Sequence, residues 1–203
     1  MMNWGDCRSL HGSASNKLAY AYNIRNWIES ISSGGLFNIS LYYGYNGNVS
    51  RMVCRCPGDN KTYGYNFAYD NLSRLTSAQS LIGGIITLGY ATNYSYDKNG
   101  NLLHLRRGGQ TGLSGTGIID NLSFTLNGNQ LKAVNDDATA TASNGFEFKD
   151  GAKLATEYMY DANGSLIKDL NKGIEIQYNL LNLPVRSVSQ MEVPSLILMV
   201  RME

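Results

Sequence analysis

One pattern recurs along this chain and restricts what it can fold into. Two aromatic residues flank a single residue, an acidic or amide residue follows directly, and a glycine comes three positions later. The pattern is complete in Tyr94-Ser95-Tyr96-Asp97-Lys98-Asn99-Gly100-Asn101-Leu102 and in Tyr158-Met159-Tyr160-Asp161-Ala162-Asn163-Gly164-Ser165-Leu166. Shorter versions occur at Tyr20 to Asn23, Tyr43 to Val49, Tyr69 to Leu75, Phe124 to Leu131 and Ile176 to Leu180. Their anchors, Tyr22, Tyr45, Tyr69, Tyr96, Leu126, Tyr160 and Tyr178, lie 18 to 34 residues apart, the range of stacking repeat architectures.

Each unit reads as strand, tight turn, strand. Side chains alternate across a strand, so Tyr94 and Tyr96 share one face, as do Tyr158 and Tyr160. Asp97 and Asp161 open turns in which the carboxylate can accept backbone N–H groups. Gly100 and Gly164 can adopt the left-handed conformation that closes a three-residue hairpin loop with a bulge. Asn101-Leu102 and Ser165-Leu166 begin the returning strands. The expected fold is therefore all-β: consecutive antiparallel hairpins pairing edge to edge in a curved, twisted sheet. Residues 16 to 31 could be forced onto a helix but read better as a strand with a turn. Gly34-Gly35, Gly83-Gly84, Gly108-Gly109 and Gly112 to Gly117 are expected as loops, as is the polar stretch 135–144.

The repeat stretches resemble YD repeats. These are the units of bacterial Rhs and wall-associated proteins, of the BC components of insecticidal toxin complexes, and of the extracellular part of teneurins. Phe67-Ala68-Tyr69-Asp70-Asn71-Leu72-Ser73-Arg74-Leu75 and Lys172 to Pro184 are similar to variants of the same unit. The resemblance spans about residues 18 to 184 and implies a partial β-shell. In several members that shell encloses a toxic C-terminal segment. It assigns Tyr69, Asp70, Tyr94, Tyr96, Asp97, Gly100, Asn101, Leu102, Tyr158, Tyr160, Asp161, Gly164, Leu166 and Tyr178 a structural role as the repeat signature. The partners it implies are the remainder of a longer shell or a toxin cargo, with glycans stacked on exposed tyrosines as the alternative. Relatives are often secreted or on the cell surface.

Three departures from the family stand out. Seven units are few for a closed shell, no core segment of the kind that ends the shell is recognisable, and no toxin domain follows. The expected organisation is an irregular N-terminus over 1–17, a hairpin array over 18–186 and a tail over 187–203 that loses the repeat and becomes Met- and Leu-rich. Suitable synonymous codons for that tail, read two nucleotides out of frame, encode another strand-and-turn unit. The tail is accordingly expected to be a frameshift product, which the coding DNA decides; a remnant with no independent function is a further reading.

Chemistry is sparsely signalled. Lys and Arg number 17 against 16 Asp and Glu, which argues against nucleic-acid binding through a broad basic face. The densest apolar run, Leu196 to Val200, falls far short of a membrane helix of about 20 residues, and Met1 to Asp6 has no leader pattern. His11 and His104 stand outside any catalytic motif, so no enzyme activity and no cofactor is expected. Asp97, Asn99 and Asn101 have the alternation of a calcium loop without its downstream carboxylate. Cys54-Arg55-Cys56 lacks the second pair of a zinc site, and these two residues are expected as free thiols with side chains projecting apart. Cys7 makes the cysteine count odd, so no disulfide framework is expected.

Overall fold

The computed structural model describes residues 18–33, 36–56, 58, 61–113, 115–143 and 145–189. Every regular element among them is a strand: β1 (Leu18–Tyr22), β2 (Ile28–Ser33), β3 (Phe37–Tyr43), β4 (Val49–Arg55), β5 (Thr62–Tyr69), β6 (Leu75–Ile82), β7 (Ile85–Tyr96), β8 (Leu102–Gln110), β9 (Thr116–Asn127), β10 (Gln130–Asp136), β11 (Tyr158–Tyr160), β12 (Leu166–Asp169), β13 (Ile174–Tyr178) and β14 (Pro184–Ser189). β1 to β10 form one antiparallel sheet in sequence order, and β11 to β14 form a second. All neighbours are consecutive in sequence, so each sheet is a meander that does not close among the described residues. Residues 16–17 and Gly34-Gly35 lie outside the described part; 18–31 form β1, a turn and most of β2.

The register separates two faces. Ile31 lies opposite Ile39, Ile39 opposite Cys54, Cys54 opposite Tyr63 and Tyr63 opposite Ile82. The intervening positions pair Ser30 with Ser40, Asn38 with Arg55 and Asn66 with Gln79. One face is thus apolar and the other polar, the alternation expected of an antiparallel sheet with one face withdrawn from water. Few apolar residues are fully buried: Cys54, Ala78, Leu81, Ile119, Leu122, Val134 and Ala142. Most of the apolar face is half-buried, as in a single layer.

Six hairpins turn in the same way. Tyr22, Tyr43, Tyr69, Tyr96, Tyr160 and Tyr178 each precede a five-residue turn, and the register slips beside each of them. Ala68 pairs with Ser77 while Tyr69 pairs with Leu75, so Thr76 is the extra, bulged residue. The fourth turn residue has positive φ every time: Asn26, Gly47, Ser73, Gly100, Gly164 and Asn182. The expected left-handed closure is present, although three of the six turns achieve it without glycine, at a conformational cost that Asn tolerates better than most residues.

Several expectations need correction; among them, Thr116 and Gly117 open β9 rather than belonging to a loop. Gly108-Gly109 is not a loop but lies buried inside β8. A Cβ at Gly108 would stand 2.6 Å from the Gly89 carbonyl oxygen, and one at Gly109 would run into Ile119, so these glycines permit close crossing of the neighbouring chain. Stretch 135–144 is not simply an exposed loop. Asn135 and Asp136 end β10, and Ala142 is buried. Cys54 and Cys56 share one side of the chain, because residues two apart in a strand do, and their sulfurs are 4.0 Å apart. Among the described residues Cys54 is a free thiol, whereas Cys56 is disulfide-bonded. Residues 187–189 continue β14; the rest of the tail, with the proposed frameshift, lies outside the described residues, as do Cys7 and His11.

Candidate functional site: the tyrosine clasp array

The repeat signature assembles one device many times. In five of the six turns the first residue accepts two backbone N–H groups on one side-chain oxygen. Asp97 Oδ1 accepts from Asn99 and Asn101, both at 2.8 Å. Asp70 Oδ1 accepts from Leu72 and Arg74, and Asp161 Oδ1 from Asn163 and Ser165, all at 2.9 Å. Asn23 and Asn179 do the same with their amide oxygens. These bonds favour the ionised carboxylate. The Arg74 backbone N–H holds the Asp70 carboxyl below its ordinary range, and the Asn101 side-chain amide does so first for Asp97.

Five of the six tyrosines that precede these turns act across the hairpin boundary. The hydroxyl donates to a backbone carbonyl at the start of the preceding hairpin's returning strand, on its first residue or, for Leu131 of β10, its second. Tyr43 reaches Ile28 at 2.7 Å, Tyr69 reaches Val49 at 2.9 Å and Tyr96 reaches Leu75 at 2.9 Å. Tyr160 reaches Leu131 at 2.9 Å and Tyr178 reaches Leu166 at 2.8 Å. Burial pushes the Tyr69, Tyr96 and Tyr160 phenols up. The ring covers apolar surface while the hydroxyl satisfies a carbonyl, a use for which Tyr is suited and Phe is not. Leu126 occupies the equivalent place on β9 and donates nothing, so the Leu102 carbonyl receives no tyrosine hydroxyl among the described residues.

Neighbouring turns are also linked directly. Arg74 donates from Nε to Asp70 at 2.6 Å and from Nη1 to the Asp97 carbonyl at 2.7 Å, with its guanidinium 4.9 Å from the Tyr96 ring centre. Arg25 reaches the Tyr45 carbonyl, Asn101 reaches Asn129, and Ser165 reaches Asn182. Tyr94 stands opposite Leu105, and Tyr158 opposite Asp169, two residues inside the clasp tyrosines and on the same face.

The anchor of the second unit is Tyr43, not Tyr45. Gly44 takes the place of the turn-opening Asp, with its N–H donating to the Asn48 carbonyl, and Tyr45 is fully exposed in the turn. Lacking an acidic residue there, the sequence pattern aligned two positions late.

Residues outside the repeat join the two sheets. Glu157, 1 % exposed, accepts the Val134 N–H of β10 at 2.9 Å, the Leu154 N–H at 3.1 Å and the Asn171 amide at 2.7 Å. Its own backbone donates to Lys132 and accepts from Leu170. Asp120, equally buried, pairs with Arg107 and accepts the Phe148 N–H, while Arg107 also donates to the Phe146 carbonyl. Together they fasten the irregular segment 137–157 to β8, β9 and β10. That segment borders a cavity of about 340 Å³ lined in part by Asp136, Glu147, Lys149 and Asp150. No motif marked Glu157; a lone carboxylate within the apolar run of β9 was the available signal for Asp120.

The other candidates resolve simply. His104 is exposed on the polar face of β8, 3.2 Å from the Ser123 hydroxyl, with no carboxylate paired to it among the described residues. The oxygens of Asp97 are consumed by its own turn, and no cluster able to hold a metal occurs among the described residues. The most exposed tyrosines are dispersed: Tyr20 and Tyr22 on β1, Tyr42 on the polar face and Tyr45 in a turn. No described helix is long and apolar enough to cross a membrane.

This arrangement is similar to known structures. A crystal structure of TcdB2-TccC3 matches with 15% identity and a TM-score of 0.56, covering 83% of this chain and 10% of that one. The TcdB2-TccC3-Cdc42 crystal structure matches with 16% identity and a TM-score of 0.55, over 83% and 10%. A Photorhabdus luminescens Tc holotoxin pore carrying a TccC3 mutation gives 14% identity and a TM-score of 0.53, over 84% and 10%. The likeness is one of fold, and the chain spans about a tenth of the length of these proteins. No family model matches the sequence, and no curated protein matches it.

Proposed function

We propose that this chain is a scaffold: a segment of a hairpin-repeat shell of the Rhs type, whose work is to enclose or present a toxic polypeptide rather than to catalyse a reaction. The observation that carries this reading is the tyrosine clasp, made at five hairpin boundaries. A device that joins one hairpin to the last is an economical way to extend a wall, and among the described residues the outer edges of β1 and β14 pair with no strand. The fold likeness to Tc toxin components supports the same reading. Its partners are then the remainder of the shell and its cargo.

The test is co-expression with the polypeptides encoded beside it. A stable complex that shields a bound polypeptide from added protease is the expected result. A chain that binds none of them, and shields nothing, removes the proposal.

A further inference from the structure

The clasp array ends in two complementary halves. At one end, Tyr22 holds the pre-turn position on β1, but its hydroxyl has no acceptor among the described residues, and the residue is 56% exposed. At the other, the Pro184 carbonyl occupies the acceptor position that Ile28, Val49, Leu75, Leu131 and Leu166 fill internally. No hydroxyl among the described residues donates to it, and residues 190–203 contain no tyrosine. Among the described residues, apolar side chains beside the two halves are also open: Leu18 and Tyr20 are 50% and 48% exposed, and Leu183 and Val185 are 56% and 54% exposed.

We propose that the β14 edge of one copy of this chain binds the β1 edge of a second copy, the Tyr22 hydroxyl of the second donating to the Pro184 carbonyl of the first. This rests on the scaffold reading and names one partner for its open edge. Strand direction allows it: within each of the two sheets every neighbouring pair is antiparallel, and an antiparallel β14–β1 pair repeats that pattern. The internal boundaries also set the register. Where Tyr69 reaches Val49, Arg51 lies opposite Asn66, and where Tyr178 reaches Leu166, Lys168 lies opposite Glu175. In each case, the residue two after the acceptor faces the residue three before the tyrosine. Carried to the ends, Arg186 faces Ala19 of the second copy. Proline fits the acceptor role, because it lacks an N–H to leave unpaired at an edge yet keeps its carbonyl. The contact is head-to-tail, so it builds rings or filaments rather than a two-fold dimer.

The test mixes two differently tagged full-length variants, Ala19→Cys and Arg186→Cys, under mild oxidation. The expected result is a mixed crosslinked dimer between them, absent when Arg186→Cys is paired instead with Ser30→Cys, which lies on the same polar face but inside the sheet. Adding Tyr22→Phe to the Ala19→Cys copy should weaken association roughly fivefold, the usual worth of one hydrogen bond. By sedimentation, the unmodified chain should grow in mass with concentration. A monomer at all concentrations with no mixed crosslink overturns the proposal. Crosslinking of Arg186→Cys to a different, neighbouring-encoded polypeptide alone also overturns self-association, while leaving the scaffold reading standing.

Discussion

The Tyr96 hydroxyl donates to the Leu75 carbonyl at 2.9 Å, and its ring lies under the Arg74 guanidinium that also holds Asp70 and the Asp97 carbonyl. Two turns and two hairpins therefore meet at one phenol. A single-layer sheet has little buried apolar surface to hold successive hairpins in register, and this directional bond supplies what a deep core would otherwise provide.

Tyr96→Phe keeps the ring and removes the bond, leaving the Leu75 carbonyl without its donor. The expected loss is about 1 kcal/mol, read by denaturant unfolding. Tyr96→Ala also removes the covering ring and should cost about 3 kcal/mol or more.

Leu126→Tyr should install the missing clasp. His104 lies opposite Ser123, which brings Leu102 opposite the residue before 126, the geometry seen at the other boundaries. A gain of up to about 1 kcal/mol is expected, with slower amide exchange along β8 and β9. No gain would mean that the β8–β9 boundary differs from the others.

Asp97→Asn keeps an oxygen acceptor, as Asn23 and Asn179 show at their own turns, but removes the charge. Hydrogen bonds depress the folded-state pKa of Asp70 and Asp97. Their contribution is therefore present above the ordinary carboxylate pKa and lost as pH falls through the lower folded value. The unmodified protein should lose thermal stability in acid, Asp97→Asn should lose less, and Asp97→Ala should be weakened already at neutral pH. Melting curves across an acid series decide this.

Glu157→Ala should uncouple the two sheets. It strands the buried Val134 N–H and removes the acceptor of the Leu154 N–H and the Asn171 amide, and removing one partner of buried polar groups is among the costlier substitutions, at roughly 3 kcal/mol. Hydrogen exchange should quicken in β11 to β14 before it does in β5 to β9. Uniform acceleration across both sheets would contradict the role of Glu157 in joining them.

The legible part of this protein was local. Tyr-x-Tyr spacing, a turn-opening Asp or Asn and a residue able to take positive φ act within about nine consecutive residues, so the sequence by itself determined the hairpins, the turns at Asp97 and Asp161, and the all-β class. Tertiary structure alone decided which groups meet across hairpins. It selected Tyr43 over Tyr45 as an anchor, because the reach to the Ile28 carbonyl defines that role and the neighbouring Gly44 hides it. It buried Gly108 and Gly109, which look like loop residues, where another strand crosses too closely for a side chain. It also paired Glu157 with Val134, residues 23 apart, and Asp120 with Phe148, residues 28 apart. No periodicity links such positions. Their partners are fixed by the packing of segment 137–157 against the sheet, where a buried carboxylate must find donors or not be buried at all.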